Sequence, residues 1–372
     1  MKSRRKRIAV KLLWWMPWLM MMVYTAAMAA SHDFVPLNHT YTEVYMLLLG
    51  VVAAPLLVFS TCSLLGWAHN RYHHTRQQWG ERIGAVLAAA TAATFIYGFT
   101  IGFNQVTVRH ADLTFNNLPD AFDGYRIAHV SDLHVGTYGG WRKEVLAAVI
   151  DSLKQEQPDI ICFTGDLQNT RPHEVEKVSQ LLRQLPGTYS VLGNHDHGEY
   201  AGGTNKEKQD VEQQLIATQR RLGWNLLINQ ASIITRQRTL NDGTTTADSI
   251  AIVGTDNDGM PPFPSLARYD KAMSSIAGKN IFTIMLQHDP SAWKRNIVDK
   301  TQADLTLSGH THGGQMQALS LRPTMLSCHE DYGHYTAGKC QLMVSAGAGA
   351  LVPFRIGLAN EITIITLHTA KH

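Results

Sequence analysis

The sequence predicts an α/β domain preceded by membrane-crossing helices, and three observations carry that prediction. Five short, apolar, β-branched runs each lead into a cluster of carboxylates, imidazoles or amides. Segments of helical periodicity alternate with the first of those runs. Three apolar stretches, each near the roughly 20 residues a spanning helix needs, come before all of them.

From the N-terminus, Met1 to Arg7 holds Lys2, Arg4, Arg5, Lys6 and Arg7, and an apolar stretch from Leu12 to Ala30 follows. Together with stretches at about 44–67 and 83–103 it defines a membrane anchor over residues 1–103. No charge interrupts the body of the second or third, which argues against buried core helices. The loop Ser31–Glu43 lacks Lys and Arg, whereas His69–Arg82 carries Arg71, Arg76 and Arg82 against Glu81 alone. Basic short loops stay cytoplasmic, so the N-terminus is expected inside and everything after Phe103 outside, on the periplasmic or extracellular side of the inner membrane. A cleaved signal is the alternative for the first stretch, since Ala27-Met28-Ala29 resembles a small-residue cleavage site.

Residues 104–372 form the expected catalytic domain. Residues 104–115 alternate as a half-buried strand, and IAHV then leads into Ser131-Asp132-Leu133-His134. A helix is expected over Trp141–Gln157, ending at Pro158, and another over His173–Leu185, ending at Pro186-Gly187. Between and after them DIICFT leads into Gly165-Asp166, and YSVL into Gly193-Asn194-His195-Asp196. This order is a parallel βαβαβ half. A charged helix over Asn205–Leu222 precedes strands near 226–229, 232–235 and 250–253, with Asn241-Asp242-Gly243 as a hairpin turn. FTIML leads into Gln287-His288, LTLS into Gly309-His310-Thr311-His312, and strands close the chain at 341–345 and 361–367. Two packed sheets with helices outside accommodate this many strands in one domain.

Chemistry in open α/β sheets collects beyond the carboxyl ends of the strands. Five such ends here deliver Asp132, His134, Asp166, Asn194, His195, His288, His310 and His312. Mixed N/O donors without thiolate suit Zn, Mn or Fe better than Mg or Ca. Two divalent ions bring four positive charges, which two carboxylates and one hydroxide leave partly unbalanced. That surplus favours an anionic phosphoryl group over neutral esters or amides. Singly, a strand-end histidine is more often a satisfied polar residue and Asp132 or Asp166 a turn cap; together the five motifs outweigh that reading.

These residues resemble the calcineurin-like metallophosphoesterases. SDLH, GD, GNHD, a lone histidine in Gln287-His288-Asp289, and GHTHGGQ occur in the family's order. Flanking segments such as DGYRIAHVSDLHVG resemble its membrane-anchored bacterial branch. The resemblance implies a four-layer α/β/β/α sandwich. It places Asp132, His134 and His312 on one metal, Asn194, His288 and His310 on a second, Asp166 between them, and His195 near the leaving group. It implies direct hydrolysis by a water bridging two ions. Asp196 either orients His195 or caps a turn. Gly313-Gly314 either lets the backbone approach a phosphate or turns the chain.

The expected function is a membrane-anchored, dinuclear-metal phosphohydrolase, a phosphodiesterase for lipid or cell-envelope phosphoesters. A nucleotide-sugar-lipid pyrophosphatase is the enzymatic alternative, and a non-catalytic metal-binding membrane scaffold the alternative of another class. The net charge of +3 and the lack of a basic run in the catalytic region give no expectation of nucleic-acid binding. Of four cysteines, Cys62 and Cys162 read as apolar fillers. Cys328 and Cys340 flank HEDYGHYTAGK and are expected to pair outside the cell; free thiols, or metal ligation with His329 and His334, are the alternatives.

Overall fold

The computed structural model describes residues 2–30, 38–239 and 243–370. The chain forms two compact units, Met1–Phe103 with Val352–Ile356, and Asn104–Leu351 with Gly357–His372.

In the first unit, α1 (Lys2–Ala30) is followed by α2 (Thr40–Leu48), a π-helical turn over Leu49–Ala53, α3 (Ala54–His73) and α4 (Trp79–Tyr97). Among the described residues three spans are long and apolar enough to cross a membrane: Lys11–Ala30, Thr40–His73 and Trp79–Gly102. Helices α3 and α4 approach closely because small residues face each other. A Cβ on Gly66 would lie 2.8 Å from the Gly80 Cα, and one on Gly84 would lie 3.0 Å from Cys62 Cβ. Such close backbone packing is how helices associate where no hydrophobic effect separates them from their solvent. Phe354 of the returning segment stacks on Phe95, with ring centroids 5.3 Å apart. The acidic loop assigned to the outside lies mostly beyond the described residues.

The described residues of the second unit form twelve strands in two six-stranded sheets. The first has the order β1 (Val106–Phe115), β12 (Asn360–Thr369), β2 (Tyr125–Val130), β3 (Ile160–Phe163), β4 (Tyr189–Ser190), β5 (Asn225–Leu226). Strands β2 to β5 are mutually parallel, and β12 runs parallel to β1 and antiparallel to β2. The second sheet has the order β10 (Gly333–Ala337), β11 (Cys340–Val344), β9 (Leu305–Ser308), β8 (Phe282–Leu286), β7 (Thr245–Gly254), β6 (Gln230–Thr239). Its four inner strands are parallel and its edge strands antiparallel.

The sheets pack face to face through one apolar cluster. Ile127, Cys162, Val191 and Ile365 of the first sheet's layer meet Ile252, Ile284, Leu305 and Met343 of the second, all fully buried. The outer face of the first sheet is covered by α5 (Lys143–Glu156), which turns Leu146, Val149, Ile150 and Leu153 inward at helical spacing. Helices α6 (His173–Lys177), α7 (Ser179–Leu182) and α8 (Asn205–Arg221) follow on that side of the sequence. Helix α8 starts at a capping box: Thr204 Oγ1 accepts from the Glu207 N–H, and Glu207 Oε2 accepts from the Thr204 N–H at 2.7 Å. On the second sheet, α9 (Tyr269–Met273) and the turn Trp293–Ile297 bury Ala272, Trp293 and Ile297. The result is the expected four-layer α/β/β/α sandwich.

Three local expectations need correction. The helix over His173–Leu185 breaks into α6 and α7 at Val178, whose φ of −117° is not helical. The polar segment between Cys328 and Cys340 contains strand β10, which pairs with β11 in an antiparallel hairpin. Both of those cysteines are free: Cys340 is drawn into the apolar cluster behind the second sheet, whereas Cys328 follows a 3-10 turn over Pro323–Leu326. The turn at Asn241-Asp242 lies outside the described residues, although β6 and β7 pair as a hairpin requires.

The long connection after β7 is pinned by one carboxylate. Asp258 accepts from Ser265 Oγ (2.8 Å), Tyr269 Oη (2.8 Å), Asn296 Nδ2 (2.7 Å) and Arg295 (2.9 Å). Burial pushes its pKa up, but these donors outweigh burial and hold it below the ordinary carboxylate value. The stability it adds is therefore complete above that ordinary value and is lost as pH falls through the lower folded one. Asp258→Asn should remove this acid-side dependence from the unfolding midpoint; an acid limb identical to wild type would show that Asp258 does not contribute to it.

Candidate metal centre

Each of the five motifs sits where a parallel strand stops. Strands β2, β3 and β4 of one sheet and β8 and β9 of the other point their carboxyl ends at one rim, so two sheets build one site. The turns there are tight and strained. Asp132, His134, Asp166, His310 and His312 all have left-handed backbones, with φ of 53°, 44°, 58°, 69° and 52°. Non-glycine residues persist in that region only when their surroundings over-determine them, and such strain gathers at functional sites. Two glycines leave the room the carboxylates occupy. A Cβ on Gly193 would lie 2.2 Å from Asp166 Oδ1, and one on Gly309 2.2 Å from Asp132 Oδ2.

Among the described residues the donor atoms converge in three groups: Asp132, His134 and His312; His134, Asp166 and His195; Asp166, His288 and His310. Asp166 Oδ2 lies 3.5 Å from His134 Nε2 and 3.3 Å from His288 Nε2, which puts this carboxylate between the outer groups. His312 Nε2 is 3.4 Å from Asp132 Oδ1. Asn194 Oδ1 is 2.9 Å from His310 Nδ1 and 3.2 Å from His288 Nε2. All seven residues expected to ligate metal are thus brought together, with His195 among them.

This donor set fits divalent cations. His288 Nδ1 donates to the Thr164 carbonyl at 2.7 Å, which turns Nε2 toward Asp166 and Asn194. Burial lowers the pKa of His288, but Asp166 outweighs it and pushes the value up to about 10. Burial likewise raises the Asp166 carboxyl, while His288, His195 and His134 overcome this and hold it well below the usual range. A cation bound there would serve the same end, neutralising a buried carboxylate. Burial is the main cause of the lowered pKa values of His134 and His310, which leaves neutral nitrogens with lone pairs to offer.

Further residues hold these side chains in place, and sequence motifs alone do not reveal Tyr200, Asn169 or Glu174 in that part. Tyr200 Oη receives Asn194 Nδ2 at 3.1 Å, which turns the amide oxygen toward the histidines. The Tyr200 ring also stacks on His195, with centroids 4.2 Å apart. His195 Nδ1 donates to the Asn169 carbonyl at 2.7 Å, so Nε2 is the ring atom left for a substrate. Buried Glu174 orders that loop by accepting from the backbone N–H groups of Asn169, Thr170 and Arg171. Gly313 and Gly314 turn the chain, with φ of 54° and 67°. Arg322 is engaged by Asp331 at 2.7 and 3.0 Å.

Asp196 caps a turn rather than orienting His195. Its carboxylate accepts from the backbone N–H groups of Asp166 (2.9 Å), Leu167 (3.0 Å), Gln168 (3.3 Å) and Gly193 (2.9 Å). Four buried donors depend on one side chain. Asp196→Ala should cost roughly 3 kcal/mol or more in unfolding free energy. An unchanged denaturant midpoint would exclude this capping role.

A family model described as calcineurin-like phosphoesterase matches residues 125–314. The chain is 30% identical over 300 residues to an uncharacterized metallophosphoesterase of Bacillus subtilis, YkuE, covering 77% of this chain and 95% of that one. It is 26% identical over 290 residues to a zebrafish (Danio rerio) transmembrane protein with metallophosphoesterase domain, covering 75% of this chain and 61% of that one. Among solved structures, it is similar to the phosphopantetheinyl hydrolase of Mycobacterium tuberculosis at 12% identity and a TM-score of 0.35, over 62% of this chain and 91% of that one.

Proposed function

The chain belongs to the calcineurin-like phosphoesterase family of metal-dependent phosphoester hydrolases, and from that premise we propose a membrane-anchored phosphodiesterase that holds two divalent ions, Mn, Zn or Fe. Its substrates are lipid or cell-envelope phosphoesters, and its catalytic domain, residues 104–372, works on the periplasmic or extracellular side of the inner membrane. One observation supports the two-ion reading above all: Asp166 lies within reach of His134 on one side and His288 on the other. Asp132, His134 and His312 would hold the first ion, Asn194, His288 and His310 the second, with Asp166 shared. When bound, such ions lower the pKa of coordinated water and offset charge on the phosphoryl oxygens.

The chain's own residues supply the rest. The His195 backbone N–H donates to Asp166 Oδ1 at 2.9 Å, which fixes the histidine relative to the shared carboxylate. The Asn169 carbonyl accepts from Nδ1–H, so His195 Nε2 faces the substrate, and the imidazolium form would give its Nε2 proton to a departing alkoxide oxygen and be left neutral. Tyr200 keeps that ring from rotating.

Three measurements test this reading. Elemental analysis of the folded protein offered Mn, Zn and Fe should find two ions per chain; one or none sinks the dinuclear centre. His195→Ala should keep that metal content and lose about 10²–10⁴-fold in turnover of a phosphodiester whose leaving group is an alkoxide, such as glycerophosphocholine. Full activity in the variant would remove His195 from the reaction. Alkaline phosphatase fused after Phe103 should be active only if the catalytic domain lies outside, so a silent fusion that is stably made would reverse the topology.

A further inference from the structure

Large apolar side chains that stand exposed on the catalytic unit are not scattered. Apart from Ile233, those among the described residues are Met260, Leu266, Leu319, Leu321, Met325 and Leu326. These six lie on two loops, Thr255–Arg268 after β7 and Gln315–Leu326 after the GHTHGG motif. Both loops touch the metal centre. Phe263 of the first sets its ring edge-on to His310, with centroids 4.7 Å apart. In the second, Pro323 and Thr324 pack against Gly314, at 3.3 and 3.2 Å from where its Cβ would be.

The second loop is built to present its apolar tip. Ala318 and Leu321 exchange both backbone hydrogen bonds, at 3.0 and 2.8 Å, around a two-residue turn. The turn residues, Leu319 and Ser320, have φ of 49° and 68°. Such turns favour Asn or Gly, and leucine there is unfavourable both for the backbone and for its contact with water. Leu319 is nevertheless 97% exposed and Leu326 94% exposed. The loop does not fold over to hide them, because Asp331 holds Arg322 between them by two hydrogen bonds.

We propose that these two loops seat the catalytic unit on a lipid surface, so that the metal centre takes phosphoesters of amphiphiles presented at a bilayer interface. The proposal rests on the phosphohydrolase reading above and narrows its substrate class. A bilayer is the occupant that the chain itself points to. Only Phe103, Asn104 and Gln105 separate the third candidate span from the first strand of the catalytic unit. A short tether keeps that unit beside the membrane, where exposed leucines at loop tips enter the acyl boundary.

The test compares two phosphodiesters with one leaving group, using the full chain in phosphatidylcholine–phosphatidylglycerol nanodiscs. Bis-p-nitrophenyl phosphate is offered in solution, and dioleoyl phosphatidyl-p-nitrophenol in the disc. The L319S/L326S variant should lose about tenfold or more on the lipid ester while staying within about twofold on the soluble one. Equal effects on both substrates, or none, overturn the lipid seat. Wild-type protein inactive on both substrates would instead count against the phosphohydrolase reading itself. A nitroxide at Leu319→Cys, with Cys62 and Cys328 replaced by Ser, gives a readout independent of activity. Greater accessibility to oxygen than to a nickel chelate supports the proposal. Water-like accessibility overturns it, and so does dipolar broadening from a second copy.

Discussion

Asp166 is the constraint from which the rest of the centre follows. Its carboxylate is buried between imidazoles carried by strands of different sheets, His134 after β2 and His288 after β8. A lone buried charge would be prohibitive, so the fold must bring positive or donor groups to it from both sides. It does so by ending parallel strands of both sheets on one rim. The apolar cluster between the sheets has a functional counterpart here, since it holds together the two sheets whose strand ends supply the side chains around Asp166.

Around that carboxylate the polypeptide backbone carries much of the work. Asp196 gathers four N–H groups from the turns that present Asp166 and Asn194. Glu174 gathers three from the loop whose carbonyl holds His195. Buried acids that satisfy main-chain donors trade desolvation for rigidity, and rigid first contacts are what a metal centre needs. The left-handed turns at five of the candidate metal-binding positions persist because these acids and the two close-packed glycines leave the chain no relaxed alternative.

Much of this was legible in the residues. The candidate metal-binding residues announce themselves because each motif follows an apolar run, three of the five through a glycine, so the five motifs and their strands could be read locally. The supports could not. Asn169 acts through a carbonyl that every residue has, and Tyr200 acts on Asn194 through a fold-dependent contact. Asp196 sits beside His195 in sequence yet faces Asp166 and Gly193 instead. Strand β10 was hidden because Gly333–Ala337 is short and polar, and its strand character comes from pairing with β11 at the sheet edge. The same pairing buries Cys340 and defeats the inference that two cysteines flanking a loop join. Val178 interrupts a helix that periodicity alone would continue.

Strand β12 occupies a place in the first sheet that its position in the chain makes costly. It lies between β1 and β2, so the earliest strand of the catalytic unit has no neighbour in its sheet other than the last. A nascent chain that has not yet yielded Asn360–Thr369 therefore leaves β1 solitary and β2 with one flank bare. Contacts so distant in sequence form slowly, and unpaired flanks recruit other chains. This segment is the keystone of the sheet, and until it is inserted β1 and one flank of β2 stay open to pairing with other strands.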